Sequence, residues 1–157
     1  MSLKTQDLFD VSNKVVVVTG GSRGIGEMIT SGFLANNSKV YITARKEEAL
    51  VKKAEELSQK YSCECIPVSG DISNSEGIDA LVNFLNDAEP EGIDFLINNA
   101  GAAWGANYDD FPESGWDKVI DLNLKTPFFL TQKLTPLLEK KGTTEDPSRV
   151  VNIASID

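Results

Sequence analysis

The first strong signal along the chain is an unbroken β-branched run, Val15, Val16, Val17 and Val18, closed by Thr19-Gly20. Consecutive apolar residues of this kind predict a strand buried on both faces, the habit of parallel sheets. The glycine-rich stretch Gly20 to Gly26 predicts a turn. Ile25, Met28, Ile29 and Phe33 then fall at helical spacing, and Asn36-Asn37 ends that helix. Lys39 to Thr43 reads as a second strand with Val40 and Ile42 on one face. Glu47 to Lys60 reads as a helix with Leu50, Ala54 and Leu57 on one stripe. Cys65 to Val68 predicts a third strand, and Pro67 within it cannot donate a ladder hydrogen bond, which favours a sheet edge.

Ser73-x-x-Glu76 has the form of a capping box. It opens a helix carrying Ile78, Leu81, Val82 and Leu85. Pro90-Glu91-Gly92 breaks the chain before a fourth strand, Ile93 to Ile97. A loop rich in Gly, Ala and Asn spans Asn98 to Asp110, and Glu113 to Asn123 reads as helical. A longer helix is predicted over Pro127 to Lys140, with Phe128, Leu130, Leu134 and Leu138 apolar and Pro136 as an expected kink. A polar turn, Gly142 to Ser148, leads to a fifth strand at Arg149 to Ile153. Strand and helix alternate throughout, which predicts a doubly wound parallel α/β sheet in one Rossmann-like domain. Right-handed crossovers give the strand order 3-2-1-4-5, and Pro67 independently puts strand three at an edge.

Composition narrows the chemistry. The chain has 157 residues and a net charge of −9, with no Lys/Arg cluster, which argues against a nucleic-acid partner. It has no His, so the commonest metal ligand and general base are both missing, and no metal is expected. Cys63 and Cys65 are spaced CxC rather than CxxC and read as small buried apolar residues in a reducing, cytoplasmic setting. Met1 to Asp10 resembles neither a secretory signal nor an Arg-rich transit peptide, and no stretch approaches a membrane span.

Thr19-Gly20-Gly21-Ser22-Arg23-Gly24-Ile25-Gly26 joins the buried strand to a helix. Glycines there let the backbone turn tightly and approach a pyrophosphate at the positive helix N-terminus. The spacing is GxxxGxG at Gly20, Gly24 and Gly26, not GxGxxG. Glu27-Met28 stands where a Walker loop needs Lys-Ser/Thr, which argues against phosphoryl transfer. The second strand ends Thr43-Ala44-Arg45-Lys46, without the carboxylate that an NAD site presents to the ribose 2′-hydroxyl. Arg45, Lys46 and Arg23 suit a 2′-phosphate by charge, and the guanidinium suits it also by its fork, so the expected cofactor is NADP. A methyltransferase on a similar sheet would want an acidic residue near Ala44, and the two cations oppose it.

The TGGSRGIG turn is followed in order by Gly70-Asp71-Ile72, Asn98-Asn99-Ala100-Gly101, Asp121-Leu122-Asn123 and Asn152-Ile153-Ala154-Ser155. Together these motifs resemble the short-chain dehydrogenase/reductase family from Lys14 to Ser155. Within it, the pattern looks most like 3-oxoacyl-[acyl-carrier-protein] reductases, the rhamnolipid-type ketoacyl reductases among them. The resemblance implies that Gly20, Ser22, Arg23, Gly24, Ile25 and Gly26 hold the dinucleotide. It implies that Asp71 bonds the adenine amino group, with Ile72 beside the ring. Asn99, Ala100 and Gly101 would line the ribose and nicotinamide, and Asn98 would steady the sheet. Asn123 would hold a relay water through its backbone, and Ser155 would bond the substrate carbonyl. The long helix after Asn123 resembles the family's dimerising helix, so a homo-oligomer is expected, acting on a small-molecule carbonyl substrate.

The family's proton donor is a Tyr in a YxxxK segment after that Ser. Tyr41, Tyr61 and Tyr108 are followed four residues on by Arg45, Cys65 and Pro112, and all precede Ser155. The expectation is therefore a C-terminally incomplete domain with little reductase activity of its own. Two functions remain open: an NADP(H)-dependent reductase at the level of the parent protein, and a non-catalytic NADP(H)-binding module.

Overall fold

The computed structural model describes residues 9–155. The expectation that the N-terminus carries no targeting segment rests largely on residues 1–8, which lie outside the described residues. Five parallel strands form one sheet: β1 (Val15–Thr19), β2 (Lys39–Ala44), β3 (Cys65–Ser69), β4 (Phe95–Asn98) and β5 (Arg149–Asn152). Their order is β3-β2-β1-β4-β5. The valine run is the central strand, with Val16 opposite Val40 of β2 and Phe95 of β4. Pro67 sits on the edge strand β3, as its missing N–H requires.

Period two divides the valines between two cores. Val16 and Val18 pack with Leu34 of α1 (Gly24–Ala35) and with Leu50, Ala54 and Leu57 of α2 (Glu47–Tyr61). Val15 and Val17 face α3 (Ser75–Ala88) and α5 (Thr126–Lys141), where Ile78, Leu81, Leu85, Leu130 and Leu134 close the other layer. Complete burial of each such side chain contributes roughly 1.5–3 kcal/mol, so the central strand draws stability from both faces. Cys65 is buried in the first of these cores, with Cys63 packed against it. Burial, and secondarily Cys63, pushes the Cys65 thiol up to about 12, which keeps it an uncharged apolar filler.

The structure corrects several expectations. In α1 the buried positions are Gly26, Thr30 and Leu34, with Ile29 and Phe33 beside them, whereas Ile25 and Met28 point outward. The stripe is set by close packing of small residues, which an apolar count does not detect. The cap of α3 is Asn74, whose Oδ1 accepts from Gly77 N at 2.8 Å, not a Ser73–Glu76 box. The fourth strand begins at Phe95 rather than Ile93. The two helices predicted over 113–123 and 127–140 are one continuous run. It consists of α4 (Glu113–Ile120), a π-helical turn at Asp121–Lys125, and α5, which continues through Pro136. Burial of Leu134, Leu137 and Leu138 around that proline holds the helix together. Of the apolar residues of that helix, Leu130, Leu134 and Leu138 are buried and Phe128 is exposed.

At the N-terminal ends of the strands, buried Asp94 joins three of them. Its Oδ2 accepts from Val15 N at 2.9 Å, and its Oδ1 accepts from Lys14 Nζ at 3.0 Å. Its backbone N donates to Val15 O and its O accepts from Arg149 N. Lys14 also pairs with Asp146 on the turn before β5. Truncating Asp94 strips a buried backbone N–H of its acceptor. Asp94→Ala is expected to destabilise the chain by about 1–3 kcal/mol, and Asp94→Asn, which keeps an acceptor, by less. Urea unfolding of the three proteins checks the order; equal loss by both variants would show that the acceptor is not what matters.

Candidate active site

The C-terminal ends of β1, β2, β3 and β4 open onto one rim, where ligands bind in doubly wound sheets. At its centre β1 hands over to α1 through the glycine turn. Gly20 (φ +66°) and Gly24 (φ +56°) occupy the left-handed region that favours glycine. Gly26 is required for packing, because a Cβ there would stand 2.2 Å from Gly20 O and 2.5 Å from Asn99 Nδ2. A Cβ on Gly24 would meet nothing within 4 Å. The turn is therefore closed against the protein at Gly26 and open to the outside at Gly24, at the start of a twelve-residue helix whose N-terminal N–H groups favour an anion. Ser22 is half-buried. Arg23 stands at the N-cap position in extended backbone, and Arg23 and Ile25 are exposed.

The turn is fixed by hydroxyls that sequence reasoning passed over. Thr19 Oγ1 accepts from Asn99 N (2.9 Å) and Ala100 N (3.0 Å) and donates to Ile97 O. Thr43 Oγ1 accepts from Gly20 N at 3.3 Å, and Thr30 Oγ1 donates to Gly21 O. For Thr19 and Thr43 the only hint in the sequence was a place at a strand end, and Thr30, inside α1, carried none. Asn99 donates its side-chain amide to Thr19 O (2.9 Å) and Gly20 O (3.3 Å), so its side chain faces the turn. Buried Asn98 donates to Asn152 Oδ1 (2.9 Å) and Thr131 Oγ1 (3.2 Å), tying β4 to β5 and α5. Gly101 is exposed next to Asn123.

At the end of β2, Arg45 and Lys46 are exposed, and among the described residues neither forms an ion pair; Arg23 forms none either. Across the β2–β3 edge lies Asp71, whose Oδ1 accepts from Ser73 N (3.1 Å) and Ser73 Oγ (2.8 Å). Partial burial pushes the Asp71 carboxyl up, but the two Ser73 hydrogen bonds and the Arg45 charge outweigh it and hold it below the ordinary range. Ile72 is 6% exposed and belongs to the core, so little of its side chain is left to face a ring.

Asn123 lies in the π turn. Its Oδ1 accepts from Ala102 N and its Nδ2 donates to Ala102 O, both at 2.8 Å, which clamps the loop after β4. Trp104 of that loop lies against Gly115, where a Cβ would stand 2.6 Å from the indole, and Lys118 Nζ is 5.0 Å from the ring centroid. Ser155 is exposed just beyond β5. The structure thus brings the glycine turn, Arg45, Asp71 and Asn99 to one rim, with Asn123 clamping the loop that leaves it after β4. It presents a helix N-terminus at the centre, cations and a charged carboxylate on one flank, and the exposed Ser155 beyond β5 on the other.

The family described as short chain dehydrogenase matches residues 14–157. The chain is 41% identical over 148 residues to a rhamnolipids biosynthesis 3-oxoacyl-[acyl-carrier-protein] reductase of Pseudomonas aeruginosa. That match covers 94% of this chain and 57% of the relative, so the chain spans little more than half of that protein's length. It is 32% identical over 146 residues to an uncharacterized oxidoreductase of Staphylococcus aureus, covering 93% of the chain and 60% of that protein. Among solved structures it is similar to the RhlG/NADP active-site complex of P. aeruginosa, with a TM-score of 0.88, 41% identity, and 94% and 56% coverage. It is also similar to L-sorbose reductase of Gluconobacter frateurii complexed with NADPH and L-sorbose, with a TM-score of 0.86, 29% identity, and 94% and 55% coverage.

The surroundings of Asp71 give a testable order. Its carboxyl should titrate below 3.8, so that any stability it lends is present above that value and lost as pH falls through the lowered one. Ser73→Ala, which removes the hydroxyl bond and keeps the backbone one, should raise this pKa more than Arg45→Ala, because that hydroxyl bond outweighs one solvent-screened charge. NMR titration of the Asp71 side-chain carboxyl in the three proteins measures it; a larger rise from Arg45→Ala would reverse the assignment.

Proposed function

The chain belongs to the short chain dehydrogenase family, and from that membership we propose that it holds NADP(H) along this rim, in a protein that reduces a ketone to an alcohol. The observation that carries the reading is the end of β2. A strand beside the glycine turn presents Arg45 and Lys46, without ion-pair partners among the described residues, where an NAD site would present a carboxylate. The open cradle at Gly24 fits a pyrophosphate, since backbone can approach there without meeting a side chain.

In this reading NADPH supplies the hydride. Backbone N–H groups of the turn at Ser22 to Gly26 hold the pyrophosphate. Arg45, with Lys46 and Arg23, takes the 2′-phosphate by charge-assisted hydrogen bonds. Asp71, charged at neutral pH, accepts from the adenine amino group. The backbone at Asn99, Ala100 and Gly101 borders the ribose. Asn123, whose side chain is committed to Ala102, acts through its backbone on a relay water. Ser155 donates a hydrogen bond to the carbonyl oxygen as negative charge develops on it. The names of the relatives support a 3-oxoacyl thioester or a similar carbonyl as substrate. Leu124, Phe128 and Phe129, exposed along the π turn and α5, support a second copy as partner in the parent protein.

Two measurements test this. Arg45→Asp should weaken NADPH binding by about 1.5–3 kcal/mol, the weight of a charge-assisted contact, and spare or improve NADH. Unchanged preference in calorimetry would remove Arg45 from the site and leave Arg23 to carry the discrimination. The second is the loss of NADPH absorbance with a 3-oxoacyl thioester. The 157-residue chain contains no His and no Tyr after Ser155. General acid catalysis contributes about 10²–10⁴ in rate, so this chain should fall short of a parent carrying a Tyr–Lys pair by at least that factor. Comparable turnover would mean that the proton donor lies among these residues. Binding without turnover by either protein would favour the non-catalytic module.

A further inference from the structure

The turn after β3 and the π turn before α5 are far apart in sequence, yet a single hydroxyl joins them. Thr126, 3% exposed, begins α5. Its Oγ1 lies 2.7 Å from Ile72 O and 2.8 Å from Asp121 O. One hydroxyl proton cannot serve both carbonyls fully. Asp121 O has a second donor in the π-helical turn, the Thr126 N–H, so it stays satisfied when the hydroxyl proton points to Ile72 O. The hydroxyl proton can therefore serve Ile72 O, a carbonyl on a residue that is itself buried, without leaving Asp121 O unsatisfied. An α-helical turn there would place the Lys125 N–H on Asp121 O instead and change where the Thr126 hydroxyl stands.

We propose that Thr126 is a positioning residue for the adenine side of the site: its hydroxyl fixes the Asp71–Ile72 backbone against the π turn and so sets where the Asp71 carboxylate stands. This rests on the NADP(H) reading above. The geometry gives the mechanism. Asp71 is exposed, and among the described residues its carboxylate accepts hydrogen bonds only from Ser73, two residues on. That local Asx-type arrangement fixes the side chain relative to its own turn but leaves the turn free to shift as a unit. Gly70 N donates to Ala44 O at 3.1 Å and ties the residue before Asp71 to β2; on the other side of Asp71 two packing contacts hold the turn. Ile72 packs its side chain in the core, and a Cβ on Gly77 would lie 1.9 Å from Asp71 O, so α3 approaches it without a side chain between. Neither is a directional bond. The Thr126 hydroxyl is, and the same π turn carries Asn123, which clamps Ala102. The adenine flank and the loop after β4 are therefore referenced to one short helical segment.

The test uses the 157-residue chain with Thr126→Val, which keeps shape and loses the hydroxyl, and Thr126→Ser, which keeps the hydroxyl. Calorimetry with adenosine 2′,5′-bisphosphate probes the adenine side alone, and NADP+ probes the whole site. Thr126→Val is expected to weaken both ligands by the same factor, about three- to tenfold, the weight of one neutral hydrogen bond. Thr126→Ser should bind like the parent sequence. In ligand-free protein, the Ser73 amide should exchange faster in Thr126→Val, while the Asn99 amide, held by Thr19, stays as it was. General loosening would move both amides and would not be rescued by Ser. Unchanged bisphosphate affinity in Thr126→Val, or failure of Thr126→Ser to restore it, overturns the proposal. Should no protein bind either ligand, the NADP(H) reading falls, and Ser73 exchange alone decides the role of Thr126, with unchanged exchange overturning it.

Discussion

The Thr19 hydroxyl is the interaction on which the rest of the rim depends. It closes β1, accepts two backbone N–H groups from the chain leaving β4, and donates to a carbonyl of β4. An oxygen with one proton and two lone pairs is thereby fully used, in a buried setting where an unmade bond is costly. Without it the two central strands would still pair through the ladder, but their exits would not be held in register. The glycine turn and the loop at Asn99 would then lose their common reference.

That reference explains why the glycines are where they are. Asn99 reaches under the turn to Thr19 O and Gly20 O, and Gly26 must pass over it. The space a Cβ would need at Gly26 is already filled by protein, whereas the space in front of Gly24 is empty. The same motif thus contains a packing glycine and an access glycine. The difference decides which of them faces a ligand and which keeps the helix against the sheet. The side chains assigned to the cofactor divide the same way. Arg45 and Asp71 present charged groups at the rim, whereas the side chains of Asn99, Asn123 and Ile72 are committed to protein partners or to the core.

Much of the fold was legible because burial on both faces leaves an unambiguous mark. The valine run could only be a central strand, and Pro67 could only be comfortable at an edge. The amphipathic stripes of α2 and α3 were read residue for residue. What escaped has physical causes. Three adjacent cap-forming residues, Ser73, Asn74 and Ser75, compete to start α3, and the choice of Asn74 follows from Ser73 being engaged by Asp71. The outward turn of Ile25 and Met28 follows from the close approach of Gly26 and Thr30 to the sheet. The π turn leaves no compositional trace of its own, because weak helix formers such as Asp121 and Asn123 mark an ordinary helix end equally well. Of the site, the charged groups and glycines were legible as chemistry. The threonine hydroxyls were not, since a Thr near a strand end is common and its partners are remote in sequence.

The π turn shows how an irregularity can serve two distant sites at once. One extra residue in a helical turn shifts the following helix relative to the preceding one, so α4 and α5 do not share a regular register. On its outer side the turn presents Asn123, which holds the loop after β4 at both polar atoms of its amide. On its inner side it gives the helix's own Asp121 carbonyl a backbone donor and sets the Thr126 hydroxyl within reach of the turn after β3. A regular helix could satisfy either contact by a local choice of residue. Satisfying both fixes the angular offset between positions 123 and 126 as well as the carbonyl that the N–H of 126 must reach, and the wider π-helical ring supplies that offset. The irregularity is therefore best understood as the geometric condition under which the two flanks of the rim are built from one segment.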